Sequence, residues 1–127
     1  MPTTPSQAEL AILKYLWSAG PQSAREVQNA IAAQHGWSYS TTRTLLLRMT
    51  KKQLIRRKDM HGLAVFAAKA TKVAVMGALI KEFAAKTLDL DGPIEATAFS
   101  SSKLFSKEEA AELEQLLSQS ADDEGRS

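Results

Sequence analysis

Between Ser38 and Arg57 the chain reads Ser-Tyr-Ser-Thr-Thr-Arg-Thr-Leu-Leu-Leu-Arg-Met-Thr-Lys-Lys-Gln-Leu-Ile-Arg-Arg, and no other stretch restricts the fold as much. At about 100° per residue, Thr42, Leu45, Leu46, Met49 and Gln53 share one side of a helix, while Ser40, Thr41, Arg43, Thr44, Arg48, Lys51 and Lys52 share the other. The first side must be buried by neighbouring elements, and the second presents short hydroxyls and cations. Such a helix suits a DNA major groove, with hydroxyls and amides near its start on phosphates, an early Arg on a guanine edge and later cations on the flanking backbone. A solvated basic face on an ordinary amphipathic helix is the alternative, and this helix alone does not separate the two.

The preceding residues supply the neighbours that such a helix needs. From Ser6 to about Ser18, Leu10, Leu13 and Trp17 recur at helical spacing, with Ile12 and Leu16 widening the stripe. Gly20-Pro21 ends that helix, and Ser23-Ala-Arg-Glu26 is a capping box that opens a second one, buried through Val27, Ala30 and Ile31. Gly36 supplies the left-handed residue at its end, and the next helix begins near Ser38 to Ser40, so the pair reads as a helix-turn-helix. After Gln53, Leu-Ile-Arg-Arg-Lys and Leu-Ala-Val-Phe-Ala flank Asp59-Met-His-Gly62, the pattern of a β-hairpin. A hairpin after a recognition helix is a wing, and Arg56, Arg57 and Lys58 on it would lie beside phosphates or serve as a solvated edge strand.

Thr71 caps a fourth predicted helix lined by Val73, Met76, Leu79, Ile80, Phe83 and Ala84, running to about Asp89, with Gly77 as a weak point inside it. Gly92-Pro93 breaks the chain. A second capping box, Ser106-Lys-Glu-Glu109, opens a last helix with Leu113, Leu116 and Leu117 on one seam. Two apolar stripes in a segment with no other visible core call for a second copy of that segment, or for packing back on the winged domain. The candidate dimer surface is therefore Met76, Leu79, Ile80, Phe83, Leu88, Leu113, Leu116 and Leu117.

Charge divides along the same line. Residues 1–70 hold ten Lys or Arg against three acids, and residues 71–127 hold six against eleven. Seven cations cluster between Arg43 and Lys58, which marks the front half as the one that attracts a polyanion. The expected fold is mainly α: a winged helix-turn-helix domain of three helices and a hairpin over 1–70, helical dimerisation elements over 71–118, and an acidic disordered tail over 119–127.

The chain has no cysteine, which excludes disulfides, thiolate metal sites and cysteine nucleophiles. Its start lacks the features of a signal peptide and no run is long enough to span a membrane, so the expected location is the cytoplasm. Ser100-Ser-Ser-Lys103 fits the S-x-x-K pattern of serine acyl-enzymes, but the companion motifs S-D-N and K-T-G are missing; Lys86-Thr87-Leu88 is the nearest approach. His35 and His61 have no second ligand nearby in sequence. Neither an enzyme, a metal site nor a cofactor is expected. The rival from another class is a winged helix that binds only protein partners, against which the cations from Arg43 to Lys58 count.

Gln7-Ala-Glu-Leu-Ala-Ile-Leu-Lys-Tyr-Leu-Trp17, Ser23-Ala-Arg-Glu-Val27, Thr41-Thr-Arg-Thr-Leu-Leu-Leu-Arg-Met49 and Lys51-Lys-Gln-Leu-Ile-Arg-Arg57 together resemble the penicillinase repressor family, which includes methicillin-resistance and copper-responsive repressors. The resemblance runs from Gln7 to Leu117, with Met49 in place of the family's usual Leu. It implies a winged-helix dimer on palindromic operator DNA, repressing antibiotic-resistance, envelope or stress-response genes. Thr41 and Arg43 match base-reading positions, and Ser38, Ser40 and the wing cations match positions near phosphates. The DNA-binding set expected here is thus Ser38, Ser40, Thr41, Thr42, Arg43, Thr44, Arg48, Lys51, Lys52, Arg56, Arg57 and Lys58, with Thr42 counted among the hydroxyls at the helix start. In the penicillinase branch repression is relieved when a protease cuts an Asn-Phe bond just before the last helix; for this chain proteolysis, a small ligand and a membrane-bound sensor all stay open as what releases the DNA. The matching bond here is Ala98-Phe99, which lacks the Asn. The copper branch's cysteine motif is absent. Leu47 departs from the family's small polar residue and is expected either on a thymine methyl or against the wing.

Overall fold

The computed structural model describes residues 4–95, 99 and 101–119, and the chain divides into two compact units between Lys72 and Val73. In the first unit the order is α1 (Gln7–Ala19), β1 (Gln22–Ser23), α2 (Ala24–His35), α3 (Tyr39–Lys51), β2 (Ile55–Met60) and β3 (Leu63–Ala68). The helices begin where their caps stand. Ser6 and Ser23 each accept from the amide three residues on, while Glu9 and Glu26 return a carboxylate to the cap's own N–H. Gly36, at φ 70°, ends α2 in the left-handed conformation, which a side chain would strain. His35 and Trp37 stack across this turn with ring centroids 4.6 Å apart.

Ile12, Leu13 and Leu16 of α1, Val27 and Ile31 of α2, Leu45, Leu46 and Met49 of α3, and Leu54, Ile55 and Val65 of the sheet region form the buried interior. The hairpin pairs Ile55 with Ala68 through Met60 with Leu63, leaving His61 and Gly62 as a two-residue loop. Both loop residues have positive φ, 54° and 79°, the geometry that matches the twist of the flanking strands. A third strand went unforeseen: β1 pairs Gln22 with Phe66 and Ser23 with Val65, giving the order β1-β3-β2 with β2 at an edge. Two residues carry too little pattern to be read as a strand.

In the second unit α4 (Lys72–Lys86) and α5 (Lys107–Ser118) form the regular structure, with α5 opened by the Ser106–Glu109 capping box. Here the structure corrects an expectation. Leu113 and Leu117, assigned to a seam facing a second copy, close their own unit's core around Val73, with Ile80, Ile94, Phe99 and Phe105 packed about it. Ile94, Phe99 and Phe105 come from the connection between the helices and provide the apolar surface that the helical stripes did not reveal. Gly77 has a packing role, because a Cβ there would stand 2.0 Å from Leu116 Cδ2. Its cost in helix propensity, about 1 kcal/mol, goes with the room it leaves for the end of the Leu116 side chain. Met76 is buried as well, whereas Phe83 and Leu88 are exposed. Of the Ala98-Phe99 bond, Phe99 is half-buried on this core and Ala98 lies outside the described residues, as do Ser100 and the tail from 120.

Candidate nucleic-acid interface

Ser38 starts α3: its Oγ accepts from the Thr41 amide at 3.1 Å and donates to Thr41 Oγ1 at 3.1 Å. The hydroxyl assigned to a phosphate is therefore occupied by capping, and the free amides of the helix's first turn are what it presents to an anion. Thr42, Leu45, Leu46 and Met49 are buried, and Ser40, Thr41, Arg43, Thr44, Leu47, Arg48 and Lys51 are exposed.

Two of the expected DNA contacts have partners inside the domain. Thr42 is fully buried, and its hydroxyl donates to Gln28 Oε1 of α2 rather than pointing outward. Gln28 in turn donates from Nε2 to the carbonyl of Trp37 at 3.0 Å, so one amide ties α3 to both α2 and the turn between them. Lys52 is the helix's C-cap and ion-pairs through Nζ with Glu9 Oε1 at 2.7 Å. Its charge is engaged inside the domain. Gln53, placed by periodicity on the packing side, has left the helix with φ 67° and is exposed.

Glu9 is a buried charge, 0% exposed, with Oε2 lacking a hydrogen-bond partner. Burial, the largest single influence, raises its pKa, but the bonds from Lys52 and from the Ser6 amide and hydroxyl, with the Lys52 charge, together hold the carboxyl below its usual range. Glu9 is thus ionised, and it fastens the start of α1 to the end of α3.

On the outer side, Tyr39 at the first turn of α3 receives two guanidiniums. Arg25 Cζ from α2 lies 3.9 Å from the ring centroid and Arg43 Cζ lies 5.9 Å away, both within cation–π range. A cleft of about 620 Å³ between α3 and the wing is lined by Tyr39, Ser40, Arg43, Thr44, Leu47 and Arg57, with Leu46 and Phe66 among its walls. Arg56, Arg57 and Lys58 are exposed on edge strand β2; the 3.7 Å pair between Arg57 and Asp59 is solvated and leaves the strand's positive character in place.

The structure therefore brings Ser40, Arg43, Thr44 and Arg57 around one cleft, with Arg48 and Lys51 exposed on α3; Thr42 is buried beneath that face and Lys52 is ion-paired to Glu9. Sequence reasoning missed Glu9, Arg25, Gln28 and Tyr39. Ser6-Gln-Ala-Glu9 is itself a capping-box pattern, so Glu9's local bond was readable; its distant partner was not.

Known proteins give the arrangement context. The penicillinase repressor family model matches residues 5–119. Over 48 residues the chain is 40% identical to the transcriptional regulator BlaI of Mycobacterium tuberculosis, a match covering 37% of this chain and only 35% of that relative. Among solved structures, the DNA binding domain of the repressor BlaI is similar with TM-score 0.51 and 25% identity, over 57% of this chain and 88% of that one. The Bacillus licheniformis BlaI monomeric form in complex with the blaP half-operator shares the fold, with TM-score 0.53 and 24% identity over 58% and 90% of the two chains.

Proposed function

The chain belongs to the penicillinase repressor family of transcriptional regulators, and from that premise we propose that it represses transcription as a homodimer on an inverted-repeat operator. Each copy lays α3 in the major groove of one half-site, and β2 follows the flanking phosphates. The observation that carries this reading is the exposed face of α3, with Ser40, Arg43, Thr44, Arg48 and Lys51 opposite the buried stripe and the cleft joining it to Arg57 of the wing. Arg43 reads a guanine edge, while Arg48, Lys51, Arg56, Arg57 and Lys58 hold phosphates.

A second copy covers the second unit through Phe83 and Leu88, with Leu90 beside them in sequence; all three remain more than half exposed in a single chain. The regulated genes belong to antibiotic resistance or to an envelope or stress response. Repression is lifted by a membrane sensor or a protease. Any cut before Phe99 acts on a locally opened segment, since that ring packs on the core of Val73, Leu113 and Leu117.

The test is selection from random duplex DNA at about 150 mM salt, followed by sequencing of what is retained. Enrichment of an inverted repeat is expected. Retention of all sequences alike, and only at low salt, would favour a winged helix whose partner is a protein.

A further inference from the structure

Leu47 sits where a leucine has no structural reason to be. The stripe of Thr42, Leu45, Leu46 and Met49 is buried, and at about 100° per residue Leu47 points within roughly 30° of the direction opposite that stripe's centre. Ser40 and Lys51 share its meridian, and Arg43 stands one turn before it. Its side chain lines the cleft that Arg57 and Phe66 also border, yet it is 59% exposed, so the wing does not cover it. Among the described residues it is the only large apolar side chain exposed on α3.

We propose that Leu47 is a specificity-determining residue that reads the 5-methyl group of a thymine in the operator, an inference that rests on the operator-binding reading above. A helix seated in the major groove brings its outward face nearest the base edges, and Leu47 lies on that face, within roughly 30° of its centre and between Ser40 and Lys51 along the axis. Those edges carry nitrogen and oxygen donors and acceptors, with the thymine methyl as their one apolar feature. Against a polar edge, leucine strips water from donors and acceptors and returns no hydrogen bond. Against a methyl, both partners remove apolar surface from water. With about 5.4 Å per helical turn and about 3.4 Å per base pair, the thymine lies within one or two base pairs of the base that Arg43 reads. Arg43 and Leu47 then specify neighbouring positions by opposite chemistry.

The experiment uses the full chain and the operator recovered by selection. Each thymine is replaced in turn by deoxyuridine, which keeps every hydrogen-bonding group and lacks only the methyl, and affinity is measured for the native protein and for Leu47→Ala. One uracil position is expected to weaken the native protein by about fourfold per half-site, the value of one buried methylene-sized group, while Leu47→Ala is indifferent at that position. Leu47 is exposed, so the variant is expected to melt at the native temperature. If uracil weakens both proteins equally at every position, or neither at any, while both still prefer the operator to random DNA, the role assigned to Leu47 is overturned and operator binding stands. If the native protein prefers no sequence, operator reading falls and this inference falls with it.

Discussion

α3 and β2 carry the same kinds of cation and hold them in different ways. The helix is fixed at both ends and along its inner face: Ser38 caps its start, Gln28 binds Thr42, and Glu9 binds Lys52 at its close. Its Arg43 lies near the face of Tyr39, itself under Arg25. The strand is an edge, joined to β3 alone, with every side chain from Arg56 to Met60 exposed. Charge held in a fixed direction distinguishes one base edge from another, whereas charge on a solvated edge strand responds to any phosphate. Composition alone would have assigned both regions one role.

The largest expected effect comes from releasing the helix. Lys52→Met leaves the Glu9 carboxylate buried and unpaired, and is expected to cost about 2 to 4 kcal/mol in denaturant unfolding, reduced from the fully buried case because Lys52 is 26% exposed. In the native protein Glu9's folded pKa lies below its unfolded value near 4.5, so its contribution is fully present above that pH and is lost as pH falls through the lower folded value. The variant should lose this acid step and gain stability relative to the native protein as the pH drops. Unchanged stability would return Lys52 to the DNA contacts. Gln28→Ala is next: Thr42 loses its buried acceptor, and a loss of about 1 to 3 kcal/mol in thermal or denaturant unfolding is expected.

On the wing, Arg57→Ala is expected to leave stability unchanged and to weaken operator and random DNA by the same factor. The slope of log affinity against log salt should fall by about 0.9 for each contact removed, read from titrations at several salt concentrations. Selective loss on the operator would mean that β2 also reads sequence. The smallest effect belongs to Tyr39→Ala, which frees Arg43 without removing it. About 0.5 to 1 kcal/mol, two- to fivefold in affinity, should disappear on the operator and not on random DNA, as measured by competition.

Much of this is carried by the sequence itself. The capping box at Ser23, the left-handed Gly36 and the buried Leu45, Leu46 and Met49 each follow from local chemistry and stand where the pattern puts them, whereas the turn expected over Asp59–Gly62 tightens to His61-Gly62 because Asp59 and Met60 pair in the hairpin. The exposed positions of Arg43, Arg48 and Lys51 follow from helical period alone. What failed was whatever depended on a distant partner. Period places Thr42 inward, yet its hydroxyl drew it into the DNA set, because nothing in the neighbouring sequence announces Gln28 as its acceptor. Lys52 looked like another cation beside Lys51, since its carboxylate stands at the far end of the domain's sequence. Leu113 and Leu117 were directed to a second copy because Ile94, Phe99 and Phe105 lie in an aperiodic connection, where no helical pattern marks them as core. Whether a side chain is free or engaged is a tertiary property, and for charges and hydroxyls it decides the function.

The most direct test of the division between a reading helix and a holding strand is the affinity of Arg43→Ala for the selected operator and for random duplex DNA at one salt concentration. The account predicts a loss of about 1 to 3 kcal/mol on the operator, relaxed preference at a single base pair, and on random DNA no more than a modest loss of nonspecific attraction. Equal losses on both DNAs, with the base preference intact, would show that Arg43 is one more phosphate contact and that the reading of sequence lies elsewhere.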